Sequence, residues 1–117
     1  MTTKIITHKD CLKHINPPGH PEQVARLEHV LDALAPLGLD IIDAPLVADD
    51  DLLRVHSQDH IRAIPSAVPV SGWTSLDNDT HVCPDTLVAA LRAAGGAVQA
   101  VDIVMADEAQ SVFVATR

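Results

Sequence analysis

The chain has 117 residues, of which 47% are hydrophobic and only 2% aromatic, so its core must be built from Val, Ile, Leu and Ala. This hydrophobic content excludes a disordered tail, and the length is typical of one domain. The net charge of −8 disfavours direct binding to nucleic acid or to an anionic membrane, because phosphate groups repel such a surface.

The first half of the chain predicts a unit of strand, loop, helix and strand. The β-branched run at residues 4–8 predicts strand one, and residues 11–20 form a loop whose prolines and glycine exclude a helix. Apolar residues recur at helical spacing over 21–34, with a proline and an acid suited to the first turn. Residues 39–42 predict strand two, and a helical crossover of this kind favours a parallel pair.

The middle of the chain predicts two short helices and a long irregular stretch. Three aspartates at 49–51 precede a short helix over 52–55, since acids favour the amino-terminal end of a helix. Ser57 and the residues after it predict the cap of a second short helix. Residues 65–79 hold two prolines and a glycine, and we predict that they are irregular, as long loops with a function often are.

The last part of the chain predicts a long helix over 84–105 and then strand three at 111–115. The helix is apolar nearly all round, which is typical of a helix buried on most sides. Gly95 and Gly96 in its middle each disfavour the helix by about 1 kcal/mol relative to alanine. We therefore expect these two small residues to let another backbone approach closely.

Seven histidines in the sequence raise the question of a metal site. His56 and His60 are spaced i, i+4, which places both on one helix face if a helix runs through them, and such pairs can bind zinc. The acid of a His-Glu-x-x-His motif is missing, because Ser57 follows His56. The favoured interpretation is a packed His56 and a partly exposed His60.

Two further groups of polar residues allow alternative interpretations. His8, His14 and His20 bracket the proline-rich loop, and they are either solvated or structural residues or part of an active-site wall. Residues 77–80 resemble the start of a calcium loop, but its glycine and distal glutamate are missing. A side-chain cap before the long helix is the favoured interpretation of that segment.

The two cysteines, Cys11 and Cys83, stand in no CxxC pair, and no export signal accompanies them. We interpret both as reduced, buried thiols of a cytoplasmic protein. No apolar run in the sequence approaches the roughly twenty residues of a membrane span. We therefore expect neither nucleic acid nor a membrane as a partner.

Five segments follow one another in a characteristic order and spacing. They are His8-x-x-Cys11-Leu12-x-His14; Pro17-Pro18-Gly19-His20-Pro21-Glu22 with Arg26-Leu27-x-x-Val30-Leu31; Val55-His56-Ser57-x-x-His60-Ile61; Leu76-Asp77-x-Asp79-Thr80-x-x-x-Pro84; and Ala89-Ala90-Leu91-Arg92-Ala93-Ala94-Gly95-Gly96-Ala97-Val98. Together they resemble the N-terminal portion of the histone deacetylase family, in its bacterial branch with class II-type and acetylpolyamine amidohydrolase-like members. His60 departs from the tyrosine that is usual in the family.

The resemblance implies an α/β fold, namely a three-layer part of the arginase/deacetylase-type fold with a short parallel sheet of order 2-1-3 flanked by helices. It also implies that residues 1–117 are a single N-terminal fragment of a deacetylase-like domain. Full-length relatives hydrolyse acetylated amines, acetyl-lysine or acetylpolyamine, with a zinc ion that polarises the carbonyl and activates water. They continue after the position of Arg117 with Pro-Pro-Gly-His-His-Ala, whose histidines move protons, and their zinc ligands lie further on.

By the same resemblance, this chain holds no catalytic residue, no metal ligand and no cofactor of its own. We expect it to be inactive by itself, which leaves open whether it is an enzyme. Asp79 stands where the family often places a polar residue at the substrate rim, and Arg26 matches an arginine that lines the internal channel beneath the zinc site. An ion pair between Arg26 and Glu22 at i, i+4 is the alternative for the arginine.

Such a fragment would leave the apolar edge of strand three unpaired, and exposed edges of this kind attract partners. The long helix would likewise show apolar surface. We therefore expect a homo-oligomer formed through the strand at 111–115 or the helix at 84–105. Two alternatives to a deacetylase fragment remain, a stand-alone non-enzymatic interaction module that oligomerises and a small metal-binding protein that uses His56 and His60.

Overall fold

The structure is a computed structural model that describes residues 2–117. In chain order its α-helices and strands are β1 (Thr3–Thr7), α1 (Val24–Leu34), β2 (Asp40–Asp43), α2 (Asp49–Leu52), α3 (Gln58–Ala67), β3 (Thr74–Ser75), β4 (His81–Val82), α4 (Thr86–Met105) and β5 (Ser111–Ala115). Short 3-10 helices, Lys9–Leu12 and Ala35–Leu37, follow β1 and α1.

β1 lies at the centre of a parallel sheet of order β2-β1-β5. Ile5 of β1 pairs with Ile41 on one side and with Phe113 on the other. Because β5 is the predicted strand three, this order is the predicted 2-1-3, and the α/β fold class is confirmed. The short strands β3 and β4 form a separate antiparallel hairpin.

Each face of the sheet builds its own core, because successive side chains of β1 point to opposite faces. Ile5 packs with Leu27 of α1 on one face, and Ile6 packs with Ile103 of α4 on the other. The buried hydrophobic residues of the described chain are all aliphatic or cysteine, as the composition predicted. Helix, sheet and helix therefore form three layers.

The middle of α4 lies directly against the backbone that follows β2. A Cβ atom added at Gly95 would lie 2.0 Å from the carbonyl oxygen of Pro45, and one added at Gly96 would lie 3.1 Å from Cγ2 of Ile6. The N–H of Val47 also donates to the carbonyl of Leu91 in α4. The predicted close approach at the glycine pair is therefore confirmed.

The start of α1 differs from the prediction. The helix begins at Val24 rather than at residue 21. Glu22 stays outside it because its N–H donates to Nδ1 of His20 and its carboxylate pairs with Arg117. A tertiary contact, rather than the local preference of proline and glutamate for a first helical turn, decides this boundary.

The middle of the chain is more regular than predicted. The aspartates at 49–51 form the first turn of α2 itself, where the positive helix end stabilises them, so the prediction of a helix over 52–55 was misplaced. α3 continues through Pro65 to Ala67 and β3 covers Thr74–Ser75. The prediction of an irregular stretch over 65–79 is therefore confirmed for residues 68–73 and 76–79 and wrong at these two elements. Pro65 lies in the last turn of α3, where its missing N–H leaves one helix bond unmade and the helix ends two residues later.

α4 buries one side and exposes the other. Ala89 and Ile103 are buried, whereas Val101 and Met105 are 61% and 78% exposed. The expectation that α4 is buried on most sides is therefore wrong for the described chain, while the expected apolar surface is present. By length and composition alone α4 could also cross a membrane, a property that it shares with the core helices of soluble proteins.

Candidate functional site: a polar groove at the carboxyl ends of β1 and β5

The proline-rich loop at 13–23 folds over the carboxyl ends of β1 and β5. Ligands in parallel α/β folds bind beyond these ends of the strands, so this edge of the sheet is the candidate site. The start of α4 and the β3–β4 hairpin approach the loop from the other side. Trp73 fixes that approach, because its Nε1 donates to the carbonyl of Ile15 at 2.6 Å.

A buried arginine holds the loop to the end of β5. The side chain of Arg117 is 1% exposed. Its Nε lies 2.8 Å from Oε1 of Glu22 and its Nη2 lies 2.6 Å from Oε2, while its Nη1 donates to the carbonyls of Cys11 and His14. The hydrogen bonds from Arg117 lower the pKa of Glu22 below its usual value, although burial opposes them.

His14 completes this arrangement, which we call the anchor cluster (Arg117, Glu22 and His14). Its Nδ1 lies 2.7 Å from Oγ1 of Thr86, and its Nε2 lies 3.9 Å from Oε2 of Glu22. Burial lowers the pKa of His14, the charge of Arg117 lowers it further, and the Glu22 carboxylate opposes both. His14 is therefore neutral at pH 7.

The thiol of Cys83 lies on the other side of Thr86. Its Sγ accepts from the N–H of Ile15 at 3.5 Å and from Oγ1 of Thr86 at 3.3 Å. Burial opposes ionisation of this thiol, but the hydrogen bonds from Ile15, Thr86 and Asp85 outweigh burial and lower its pKa. Cys11 and Cys83 are both free and buried, so the prediction of two buried thiols is confirmed.

An open groove of about 380 Å³ runs between the loop and the hairpin, and we call it the rim groove. Its polar walls include His14, Asn16, His20, Glu22, Asp79 and His81. Nε2 of His20 lies 2.9 Å from the carbonyl oxygen of Asp79, and the rings of His20 and His81 meet edge to face at 5.6 Å. Ile64, Leu76, Val82 and Ala90 also line the groove, so it combines an apolar floor with imidazole and carboxylate groups at its edges.

The predicted rim residue, Asp79, lies exposed at the tip of the hairpin and lines the rim groove. Oδ1 of Asp77 accepts from the N–H groups of Asp79 and Thr80, both at 2.8 Å. Residues 77–80 thus form an Asx-type turn within the hairpin. The prediction of Asx-type bonding before α4 is confirmed, but the turn does not cap α4, whose N-cap is Asp85. The role of Asp79 at a substrate rim stays a prediction.

Arg26 is half exposed, and both of its contacts lie close to the anchor cluster. Its Nε lies 3.6 Å from Oε1 of Glu22, so the alternative of an i, i+4 ion pair is confirmed. Its Nη2 also donates to the carbonyl of Thr116, just beyond β5. Arg26 does not line the rim groove. Its position in an internal channel stays a prediction.

The remaining histidines do not form a metal site. His56 precedes α3 rather than sharing a helix with His60, although their rings stack at 4.7 Å beside an apolar pocket. His8 accepts from the N–H of Asp10 through Nδ1 and so caps a 3-10 helix. In residues 2–117 no group of three or more His, Cys, Asp or Glu side chains could hold a metal ion. These residues do not fit a zinc site on their own.

Sequence reasoning missed the residues that hold the loop in place. Arg117 and Glu22 are far apart in the chain, so no spacing signal announces their contact. Arg92 is a second case, because its Nε lies 3.1 Å from Oδ2 of Asp10 and its Nη1 donates to the carbonyl of Ala44. Arg92 thus joins the segments that follow β1 and β2. The only signal in the sequence for this role is that a charged residue stands in an otherwise apolar helix.

Comparisons with known proteins show which family this chain is similar to. The Histone deacetylase domain family matches residues 20–117. A "Probable deacetylase" of Archaeoglobus fulgidus is 32% identical over 100% of this chain and 34% of its own length. A "Histone deacetylase-like amidohydrolase" of Pseudomonas aeruginosa is 34% identical over 88% of this chain and 29% of its own length.

A solved structure gives the same fold. The "Crystal Structure of HDA15 HD domain" is similar with a TM-score of 0.91 at 22% identity, covering 99% of this chain and 35% of that one. The predicted arginase/deacetylase-type fold is thereby confirmed. The chain spans about a third of the length of the curated relatives that it matches.

Proposed function

Because the chain belongs to the histone deacetylase family, we propose that it forms the N-terminal part of a domain that hydrolyses acetylated amines. Acetyl-lysine or acetylpolyamine is the proposed substrate class. In this proposal residues 1–117 supply the scaffold and part of the substrate rim, with Asp79 at the rim and Arg26 beneath it, and the chain by itself is inactive.

The position and chemistry of the rim groove support the proposal. The groove lies at the carboxyl edge of the sheet, where α/β enzymes bind ligands. The exposed carboxylate of Asp79 lines the groove, and the chain carries a net charge of −8. Both favour substrates that carry an amine. The zinc ion of the family would have to be held by residues other than those described, since these do not fit it.

A chimera tests the proposal. Residues 1–117 replace the matching segment of the Pseudomonas aeruginosa amidohydrolase, and hydrolysis of an acetyl-lysine peptide and of an acetylated diamine is measured. We expect the chimera to release acetate from at least one substrate and the separate chain to release none. Turnover by the separate chain, or a folded chimera inert toward both substrates, would contradict the proposal, and the unmodified Pseudomonas protein is the control.

A second candidate function, a stand-alone oligomeric interaction module, is favoured by the open edge of β5. Phe113 in the middle of this strand is 50% exposed, and an apolar strand edge is a template for pairing with another chain. The exposed side of α4 offers a second apolar surface. Light scattering at micromolar concentration distinguishes the two candidates, since a stable monomer would contradict the interaction module.

We also propose a cytoplasmic location. Cys11 and Cys83 are free thiols, and reduced cysteines are typical of the cytosol. Export of the expressed protein to a culture medium or periplasm would contradict this location.

A further inference from the structure

We propose that Arg117 is a positioning residue, whose planar guanidinium locks the 13–23 loop to the carboxyl end of β5 and thereby fixes the shape of the rim groove. The inference deepens the proposed function, because it names the residue that sets the geometry of the same groove. The loop contains no helix or strand of its own, so its shape depends on side-chain contacts.

The geometry of Arg117 shows what the guanidinium does. It makes a forked ion pair with both carboxylate oxygens of Glu22, at 2.8 and 2.6 Å. Its Nη1 donates to the carbonyl of Cys11, just before the loop, and to the carbonyl of His14, near the beginning of the loop. One side chain from the end of β5 thus holds both ends of the loop, and its 1% exposure keeps water from replacing these bonds.

The same contacts determine where the two groove histidines lie. His14 has its backbone carbonyl bound to Arg117, so its imidazole is presented to Thr86. His20 accepts from the N–H of Glu22 through Nδ1, which leaves Nε2 for the carbonyl of Asp79. Movement of Glu22 would therefore release both the imidazole of His20 and its contact with the hairpin.

Lysine cannot replace this arginine, and that difference makes the inference testable. A guanidinium offers five N–H donors in a rigid plane, whereas an ammonium is a point charge on a flexible stem. Arg117→Lys keeps the charge but not the fork, and Arg117→Gln removes both. Arg26→Gln is the matched control, because Arg26 pairs with the same Glu22 but from the solvent-exposed side.

The experiment measures amide hydrogen exchange and histidine titration by NMR on residues 1–117. For Arg117→Gln and Arg117→Lys we expect the amides of Ile15, His20 and Glu22 to exchange roughly tenfold faster or more. Amides of β1 should keep their protection, which separates loop release from unfolding. Arg26→Gln should leave the loop amides unchanged.

The imidazole of His14 gives a second readout that a purely structural role would not produce. The charged or titratable groups that face it are Glu22, Arg117 and His20, and its hydrogen-bonded neighbour is Thr86 of α4. Arg117→Gln should raise the pKa of His14, because it removes the positive charge that lowers it, whereas Arg117→Lys should change it less. Arg26→Gln should leave it unchanged.

Two results would overturn the inference. One is that the loop amides of Arg117→Gln exchange at the wild-type rate. The other is that those of Arg117→Lys do so, which would show that charge alone suffices. If Arg117→Gln unfolds, Glu22→Gln replaces it, and unchanged exchange of the loop amides in that variant would equally overturn the inference. None of these measurements involves hydrolysis. Failure here and failure of the proposed function are therefore distinguishable.

Discussion

Acid should loosen the anchor cluster, because both of its titratable side chains have lowered pKa values in the folded chain. Burial is the first cause for His14, and the bonds from Arg117 are the first cause for Glu22. A depressed pKa contributes stability above the unfolded value that is lost as the pH falls. The loss should begin below about pH 6.5, where unfolded histidine takes up a proton, and continue through the folded pKa of Glu22.

The midpoint of urea unfolding between pH 8 and pH 4 measures this effect. Wild type should lose stability over that range, whereas His14→Gln should lose less between pH 7 and pH 5. Asp79→Asn serves as a control, since it removes an exposed carboxylate outside the cluster. A wild-type midpoint that rises toward pH 5 would show that the sign of the argument is wrong.

Asp79 should matter for substrate rather than for stability. In the chimera, Asp79→Ala removes a carboxylate that would accept a hydrogen bond from bound substrate, and such bonds contribute about 1.5–3 kcal/mol. We expect kcat/KM to fall by about tenfold to a hundredfold, with the thermal midpoint unchanged. Asn78→Ala in the same exposed turn is the matched control and should retain full activity.

At the scale of single residues, local spacing predicted local contacts and nothing more. The i, i+4 rule predicted the pair of Arg26 and Glu22, and the structure has it at 3.6 Å. The stronger contact of Glu22 with Arg117 joins residues 95 positions apart, and no periodicity reaches that far. The exact placement of Asp79 likewise depends on a hairpin that the sequence did not reveal.

At the scale of secondary-structure elements, replacement of Gly95 in α4 by alanine should destabilise the fold. Alanine has the better helix propensity by about 1 kcal/mol, but its Cβ would lie 2.0 Å from the carbonyl oxygen of Pro45. Since that atom belongs to the backbone, α4 or the segment after β2 must move, and overpacking of this kind costs about 1–3 kcal/mol or more. We expect Gly95→Ala to lower the free energy of unfolding by about 2 kcal/mol.

Urea unfolding followed by circular dichroism measures the change. Gly96→Ala is the matched control, because its Cβ would meet side-chain atoms of Ile6 and Ala44 at 3.1 and 3.2 Å, so a shift of only a few tenths of an ångström relieves the contact. It should be less destabilised than Gly95→Ala. A Gly95→Ala variant as stable as wild type would show that propensity outweighs the contact.

At the scale of elements, the sequence predicted which long elements exist better than where they begin and end. The strand at Ser111–Ala115 was predicted with its observed bounds, because five β-branched, aromatic or small residues stand together. α1 and α2 were misplaced by three residues, since their starts depend on contacts with distant parts of the chain and on helix-end electrostatics. The short strands β3 and β4 escaped prediction because two-residue strands carry no periodicity.

At the scale of the whole molecule, self-association through the open edge of β5 can be distinguished from self-association through the exposed side of α4. Phe113→Lys places a charge on the strand edge, a substitution that natural proteins use to block pairing, and Val101→Lys does the same on α4. If β5 mediates association, light scattering should show a lower mass for Phe113→Lys alone. Equal masses for wild type and both variants would contradict association through either surface.

The sheet order and layers were predicted from a family resemblance, and composition would not have supplied them. Periodicity gave strands and helices and favoured parallel pairing, but a three-stranded parallel sheet permits more than one order. The order β2-β1-β5 depends on α4 crossing the face opposite to α1, which brings the last strand beside the first. Ile5 and Ile6 point to opposite faces of the sheet and are both buried. This burial is compatible with the order β2-β1-β5 but does not require that order.

The single tryptophan gives the molecule an internal optical probe of its own loop. Trp73 Nε1 is bonded to the carbonyl of Ile15, so its emission depends on whether that segment is in place. When Arg117 releases the segment, the indole should lose this partner, meet more water and shift its fluorescence to longer wavelength. In wild type during mild acidification, that shift should precede the loss of the far-ultraviolet helix signal, and a simultaneous change in both would mean that the segment and the sheet come apart together.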